Sequence, residues 1–205
     1  MRLYHCDNSR SFRALWALEE VGAAYELISL TFPPRETAPD YLGVNPLGTV
    51  PFLVDGETRM TESAAICQYL ADRHPGARLN VAPDASRYGD YLNALHYGEA
   101  TLTVPQAIYL RYALFEAEER RSEQVAEDYR VWFHARLSWL DVMLARGRFV
   151  AGDDFTIADI STGYALMLAR HFGLDDGISD RQAEYFRELI ARPAWGRACA
   201  RQAPV

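Results

Sequence analysis

Along roughly the first third of the chain the apolar positions switch period. Leu3 to Cys6 is a short apolar run that reads as a strand, and the polar Asp7-Asn8-Ser9-Arg10 after it reads as a turn. Ala14, Leu15, Ala17, Leu18 and Val21 then recur at helical spacing until Gly22 supplies a stop. Tyr25 to Leu30 predicts a second strand, and the proline-bounded stretch from Pro33 to Pro46 a loop with one short helix around Tyr41. Two β-prone runs, Val50 to Val54 and Glu57 to Met60, flank Asp55-Gly56, the pattern of a hairpin whose tight turn needs positive φ. Thr61-Glu62-Ser63 opens a helix through Ile66, Tyr69 and Leu70 to His74, where Pro75-Gly76 ends it.

After about residue 83 the period is helical throughout. Tyr88, Tyr91, Leu92 and Leu95 begin one helix, which Pro105 should bend or divide, and Val125, Tyr129, Trp132, Phe133, Leu137 and Leu140 stripe another. Thr156 with Asp159, and Ser179 with Gln182, have the spacing of capping boxes that start two more. The pattern therefore predicts an α/β domain over 1–76 (βαβαββα), a linker over 77–84 and an all-helical domain over 85–205.

Composition narrows the function classes. The 205 residues are 49% hydrophobic, enough for a sizeable core, and the formal net charge of -7 argues against sequence-independent binding to nucleic acid, which needs an excess of Lys and Arg. No apolar run approaches the length of a membrane span, and the N-terminus turns polar before a leader peptide could form, so a cytoplasmic protein is expected. Cys6, Cys67 and Cys199 form no C-x-x-C pair and fit a reducing compartment. His5, His74, His96, His134 and His171 share no ligand spacing with them, so no metal is expected.

Four segments, in order, carry a family resemblance over essentially the whole chain: Ser9-Arg10-Ser11-Phe12-Arg13-Ala14-Leu15-Trp16-Ala17-Leu18-Glu19-Glu20, Asn45-Pro46-Leu47-Gly48-Thr49-Val50-Pro51, Thr61-Glu62-Ser63-Ala64-Ala65-Ile66 and Phe155-Thr156-Ile157-Ala158-Asp159. Together they resemble the soluble glutathione transferases, in a bacterial-type, serine-type form. The resemblance implies a thioredoxin-like domain that binds glutathione, a helical domain that contributes an apolar site, and a homodimer. It also implies attack of the glutathione thiolate on a small hydrophobic electrophile or a peroxide.

Glutathione has an extended middle, two carboxylates and a thiol, and the resemblance places a partner for each. Thr49, Val50 and Pro51, with a cis Val50-Pro51 bond, would offer a backbone edge to the cysteinyl unit. Glu62 and Ser63, at a helix start where free N–H groups attract anions, would hold the γ-glutamyl end; read without the family they make an ordinary helix cap.

For the thiol, Ser9 matches the catalytic serine when the chain is aligned by Arg13, with Asn8, Arg10 and Ser11 as competitors and Tyr4 in a shifted register. Lowering a thiol from about 8.5 by about two units takes about 2.7 kcal/mol, within reach of one hydroxyl hydrogen bond plus a helix N-terminus. Tyr97, Leu102, Tyr109 and Tyr112 could line the second-substrate site, although such stripes also serve packing, and His96 beside them reads as a satisfied structural histidine. Gly48 and Thr49 stand where the family often has a basic or amide side chain for the glycyl carboxylate. That departure keeps a second reading open, a non-catalytic binding or assembly module; a third is a glutathione-dependent isomerase or dehalogenase, in which the same thiolate adds and later leaves.

Overall fold

The computed structural model describes residues 1–202. By packing they fall into two units, Met1–Asn80 together with the segment from Ile190 onward, and Val81–Leu189. No helix among the described residues is long and apolar enough to cross a membrane.

The first unit is built on a four-stranded mixed sheet in the order β2-β1-β3-β4, from β1 (Arg2–His5), β2 (Glu26–Ser29), β3 (Phe52–Asp55) and β4 (Thr58–Met60). Leu3 of β1 pairs with Leu27 in parallel and with Leu53 in antiparallel sense. With α1 (Ser11–Val21) and α2 (Pro34–Thr37) between strands and α3 (Ser63–Arg73) after β4, the element order is βαβαββα and the fold is thioredoxin-like. Asp55 still pairs with Thr58, so the turn residues are Gly56, at φ 58°, and Glu57, one residue later than the Asp-Gly pattern suggests. The Asp55 carboxylate instead accepts from Tyr69 Oη at 2.7 Å.

Helix α1 is buried from Ser11 to Leu18, more than one apolar stripe requires. Its partners are α3 and α9 (Pro193–Arg201), which returns from the far end of the chain. Trp195 meets Phe12 and Trp16 edge-on at 5.0 and 4.8 Å, and Arg192 donates to both Glu20 carboxylate oxygens at 2.6 and 2.8 Å. Gly22 ends α1 in the left-handed conformation, its N–H donating to Leu18 O.

The second unit is helical. Its first rod runs through α4 (Tyr88–His96), a wide π turn over Tyr97–Thr103, α5 (Val104–Leu110) and a second π turn over Arg111–Phe115. The irregularity thus lies ahead of Pro105, which occupies the second position of α5, where its missing N–H is tolerated. Side chains bond carbonyls of the wide turn: Thr103 Oγ1 donates to Gly98 O at 2.8 Å and Gln106 Nε2 to Leu102 O at 3.1 Å, while the same Gln106 nitrogen also reaches Ala165 O of the neighbouring helix at 3.0 Å. A side chain at Gly98 would come within 2.5 Å of the Ser161 backbone, so only glycine lets the rod lie this close to its neighbour.

That neighbour, α7 (Ile157–His171), is buried along most of its length and starts at the Thr156–Asp159 capping box. Asp159 accepts from Thr156 N at 2.8 Å, Thr156 Oγ1 at 3.2 Å, Val150 N at 3.0 Å and Tyr185 Oη at 2.9 Å. Burial nevertheless raises its carboxyl to about 6. Helix α6 (Glu123–Leu144), whose inward face is Ala126, Phe133, Leu137 and Leu140, packs on α5 and the wide turn, and α8 (Asp180–Ile190) is tied to α6 by Gln182 Nε2, which donates to Leu137 O at 2.9 Å, and to α7 by Tyr185. Ser179 and Gln182 form the reciprocal cap at the start of α8.

Candidate functional site

The turn between β1 and α1 is held by hydroxyl groups. Asn8 takes φ 55°, a conformation asparagine tolerates better than most residues, and its N–H donates to Gln202 Oε1 at 2.8 Å. Ser9 Oγ donates to Cys6 O at 2.8 Å, accepts from Ser11 N at 3.3 Å and lies 2.7 Å from Ser11 Oγ. Ser11 Oγ accepts from Cys6 N at 3.2 Å and lies 2.7 Å from Nδ1 of the buried His5. Nε2 of the same ring is 3.4 Å from Asp7 Oδ1. Ser11 is fully buried and Ser9 half-buried, so of the two serines Ser9 is the one with surface to offer a ligand.

The competitors are placed differently. Arg10 closes the turn at the N-cap of α1. Tyr4 packs in a cluster with Tyr41 and Phe52, ring centroids 5.3 and 5.9 Å away. Cys6 is buried, and burial with the neighbouring Asp7 charge pushes its thiol up to about 12, so it stays protonated.

The Val50-Pro51 bond is cis, and the β1–β3 ladder begins only at Phe52. The preceding turn is stapled by buried Asn45, whose Nδ2 donates to Thr49 O at 2.9 Å, and by Tyr41 Oη, which donates to the same carbonyl at 2.8 Å. Gly48 sits at φ 60°, and a side chain there would lie 2.9 Å from Leu42 Cδ2 and 3.1 Å from Arg35 Cβ. A cation does reach this turn from elsewhere in the chain: Arg35, exposed on α2, donates from Nη2 to Leu47 O at 2.6 Å.

At the start of α3, Glu62 is extended and exposed, and Ser63 is buried. Ser63 Oγ accepts from Nη1 of the fully buried Arg13 at 3.3 Å. An arginine can only donate, so in this contact the Ser63 hydroxyl is the acceptor. In the sequence Arg13 serves as an alignment mark, and its only sign of this role is that it stands as a lone cation among the apolar positions of α1.

On the second unit, Leu102 is fully buried and Tyr97 nearly so, its hydroxyl donating to Arg136 O at 2.7 Å and raised above the usual phenol range by burial. Tyr109 and Tyr112 are half-buried and are the two of the four that retain surface. His96 is exposed, not satisfied inside the core, and lines a hollow of about 460 Å³ with Tyr97, Arg136 and Trp139. Among the described residues no cluster of His, Cys, Asp or Glu could hold a metal ion.

Comparison with known proteins gives a consistent set of likenesses. Residues 1–72 match the family model described as the glutathione S-transferase N-terminal domain. Glutathione S-transferase GstA of Escherichia coli O157:H7 is 31% identical over 204 residues, spanning 94% of each chain. Among solved structures, the ternary complex of BphK, a bacterial GST, superposes with a TM-score of 0.86 at 26% identity, covering 98% of both chains. A sphingomonad glutathione S-transferase complexed with glutathione superposes with a TM-score of 0.85 at 27% identity and the same coverage.

Proposed function

The chain belongs to the glutathione S-transferase family, and from that premise we propose a bacterial-type, serine-type enzyme in which Ser9 meets the thiol. It is a glutathione transferase with glutathione as its co-substrate. Residues 1–76 bind the tripeptide and 77–84 link; of the 85–205 stretch expected to contribute the apolar site, the part up to Leu189 is left to do so, since the segment from Ile190 packs with the first unit. Ser9 donates its hydroxyl hydrogen to the thiolate, which then attacks a small hydrophobic electrophile or a peroxide. Catalysis lies in stabilising and positioning the sulfur.

The rest of the tripeptide is shared among the other groups. The Thr49-Val50-Pro51 backbone pairs with the cysteinyl unit. Ser63, its oxygen held by Arg13, donates to the γ-glutamyl carboxylate at the N-terminus of α3, and Glu62 accepts from the ammonium. Arg35 takes the glycyl carboxylate. On that reading the feature that favoured a non-catalytic module is accounted for. Tyr109 and Tyr112 face the electrophile.

The observation that carries the serine assignment is the position of Ser9, half-buried, just ahead of α1 and backed by donors behind it. Titrating the thiolate absorbance of the glutathione complex tests it. Ser9→Ala should raise the apparent thiol pKa by about one to two units, and an unchanged value would overturn the assignment. Exposed apolar side chains support a homodimer: Leu42, Val44 and Leu47 on the first unit, and Val131, Trp132, Trp139 and Val142 on the second. Light scattering should give twice the 23.2 kDa chain mass, and a monomer would refute it. Two buried free thiols, Cys6 and Cys67, fit a cytoplasmic setting.

A further inference from the structure

We propose that His5 receives the thiol proton of bound glutathione, relayed through Ser9 and Ser11. The inference rests on the reading of Ser9 as the thiol's partner. Ser9 Oγ, Ser11 Oγ and His5 Nδ1 form an unbroken line of two steps, each 2.7 Å.

Each hydroxyl has one hydrogen, and when both hydrogens are used along the line it has two states. With Nδ1 bare, Ser11 donates to the ring and Ser9 donates to Ser11. The Ser9 oxygen then faces a ligand with lone pairs and accepts an S–H. With Nδ1 protonated, the ring donates to Ser11, Ser11 donates to Ser9, and the Ser9 hydrogen points outward to a thiolate.

One concerted shift joins the two states. The S–H bond breaks and its proton goes to Ser9 Oγ, the former Ser9 hydrogen goes to Ser11 Oγ, and the former Ser11 hydrogen goes to Nδ1. A neutral thiol and a neutral imidazole become a thiolate and an imidazolium, and both serines end as hydroxyls. The surroundings suit either state. Cys6 N donates to Ser11 Oγ and Ser11 N to Ser9 Oγ whichever way the hydrogens run. Cys6 O, 2.8 Å from Ser9 Oγ and 3.2 Å from Ser11 Oγ, is the alternative acceptor for either hydroxyl hydrogen, and it also receives Ser9 N at 3.3 Å, so it keeps a partner when both hydroxyls donate along the line.

The charge that forms on the ring has a counterpart. Asp7 Oδ1 lies 3.4 Å from Nε2, the Gln202 side chain is a second, neutral partner, and the adjacent Cys6 thiol stays neutral. Burial holds the imidazole below the usual histidine range in the free protein, so the ring starts uncharged, as an acceptor must. His5 and Ser11 do not touch the tripeptide and are positioning residues.

Nitrogen NMR of the His5 ring in the intact protein tests the relay directly. Glutathione should bring both ring nitrogens to imidazolium positions, whereas S-methylglutathione, which has no thiol proton, should leave the ring neutral. A ring that stays neutral with both ligands would overturn the proposal. Ser11→Ala should raise the apparent thiol pKa by about one unit, a roughly tenfold smaller thiolate fraction at neutral pH, with kcat lowered and KM for glutathione held. Asp7→Asn, at a part-exposed position that should fold whatever the buried variant does, should move the thiol the same way by less. If Ser9→Ala raises the thiol pKa while Ser11→Ala and Asp7→Asn leave it alone, the relay fails and the role of Ser9 stands. If Ser9→Ala is also silent, both fail.

Discussion

The starts of α1 and α7 are both clusters of hydroxyl and carboxylate groups at a helix N-terminus, yet they are built in opposite ways. At α7 every polar contact runs one way: backbone N–H groups and hydroxyls donate to Asp159, which can only accept while ionised. At α1 the contacts from Ser9 to Ser11 to His5 join groups that can each donate or accept. A one-way cluster holds backbone in place. A reversible one can move a proton, and it reaches the surface at Ser9, whereas Asp159 is fully buried.

Asp159→Asn gives the largest effect. The partners of the carboxylate are donors, so an amide must turn its NH2 group on at least one of them, and the loss of stability should be about 2 to 4 kcal/mol. Thermal unfolding should show it as a lower Tm, with kcat/KM per folded molecule unchanged. Ser9→Ala should do the reverse, lowering kcat/KM about 10- to 100-fold with a stability change under about 1 kcal/mol. If either variant moves both quantities together, the division between a structural and a working helix start is wrong.

The same contrast sets the sign of two pH effects. The Asp159 carboxyl is raised from 3.8 to about 6, so between those values the folded chain binds more protons than the unfolded one. Its contribution is present at low pH and lost as pH rises toward about 6, by about 1.4 kcal/mol for each pH unit crossed. His5 is held below its ordinary 6.5, so the unfolded chain binds more protons there, and stability is lost as pH falls below about 6.5. Denaturant midpoints from pH 4 to 7 should show Asp159→Asn less sensitive to rising pH than the parent. His5→Asn should be less sensitive to falling pH. Two variants with the same slope change would break the contrast.

How much of this was legible in the sequence follows from the range of each interaction. The Thr156–Asp159 box spans three residues, and β1, the turn, α1 and the hairpin rest on local periodicity, so all were readable. Arg35 meets the loop at Gly48 and Arg13 meets Ser63, and only the closed fold brings those pairs together. The docking of α9 on α1 through Trp195 and Arg192 joins opposite ends of the chain and left no local sign. The wide turn over Tyr97–Thr103 depends on Gly98 and Gln106 finding α7, so proline alone suggested a bend at the wrong residue. At the candidate site the serines were readable, but the inward aim of His5 at the end of β1 was not.

Ser63 lies between the two extremes and sharpens the comparison. Arg13 fixes one side of its oxygen, as at α7, while a hydroxyl can also donate, as at α1. Ser63→Ala should therefore act on binding alone, raising KM for glutathione about tenfold, as expected for one hydrogen bond to a charged group, with kcat little changed. A fall in kcat of the same size would place Ser63 with the reacting groups.

Arg35 marks the weak end of the scale. It is exposed on α2 and its guanidinium is already donating to Leu47 O, so the pull proposed for it on a glycyl carboxylate would act through water and be screened by salt. Exposed pairs are worth about 0.2 to 1 kcal/mol, which sets the expected rise in KM for Arg35→Ala at about two- to fivefold. The rise should shrink as salt is added, because it is electrostatic and solvent-exposed, whereas the effect of Ser63→Ala, made at a buried oxygen, should persist. Equal salt sensitivity of the two variants would mean that burial does not separate the two carboxylate contacts, and that Arg35 binds by a closer, drier geometry than its present surface position gives it.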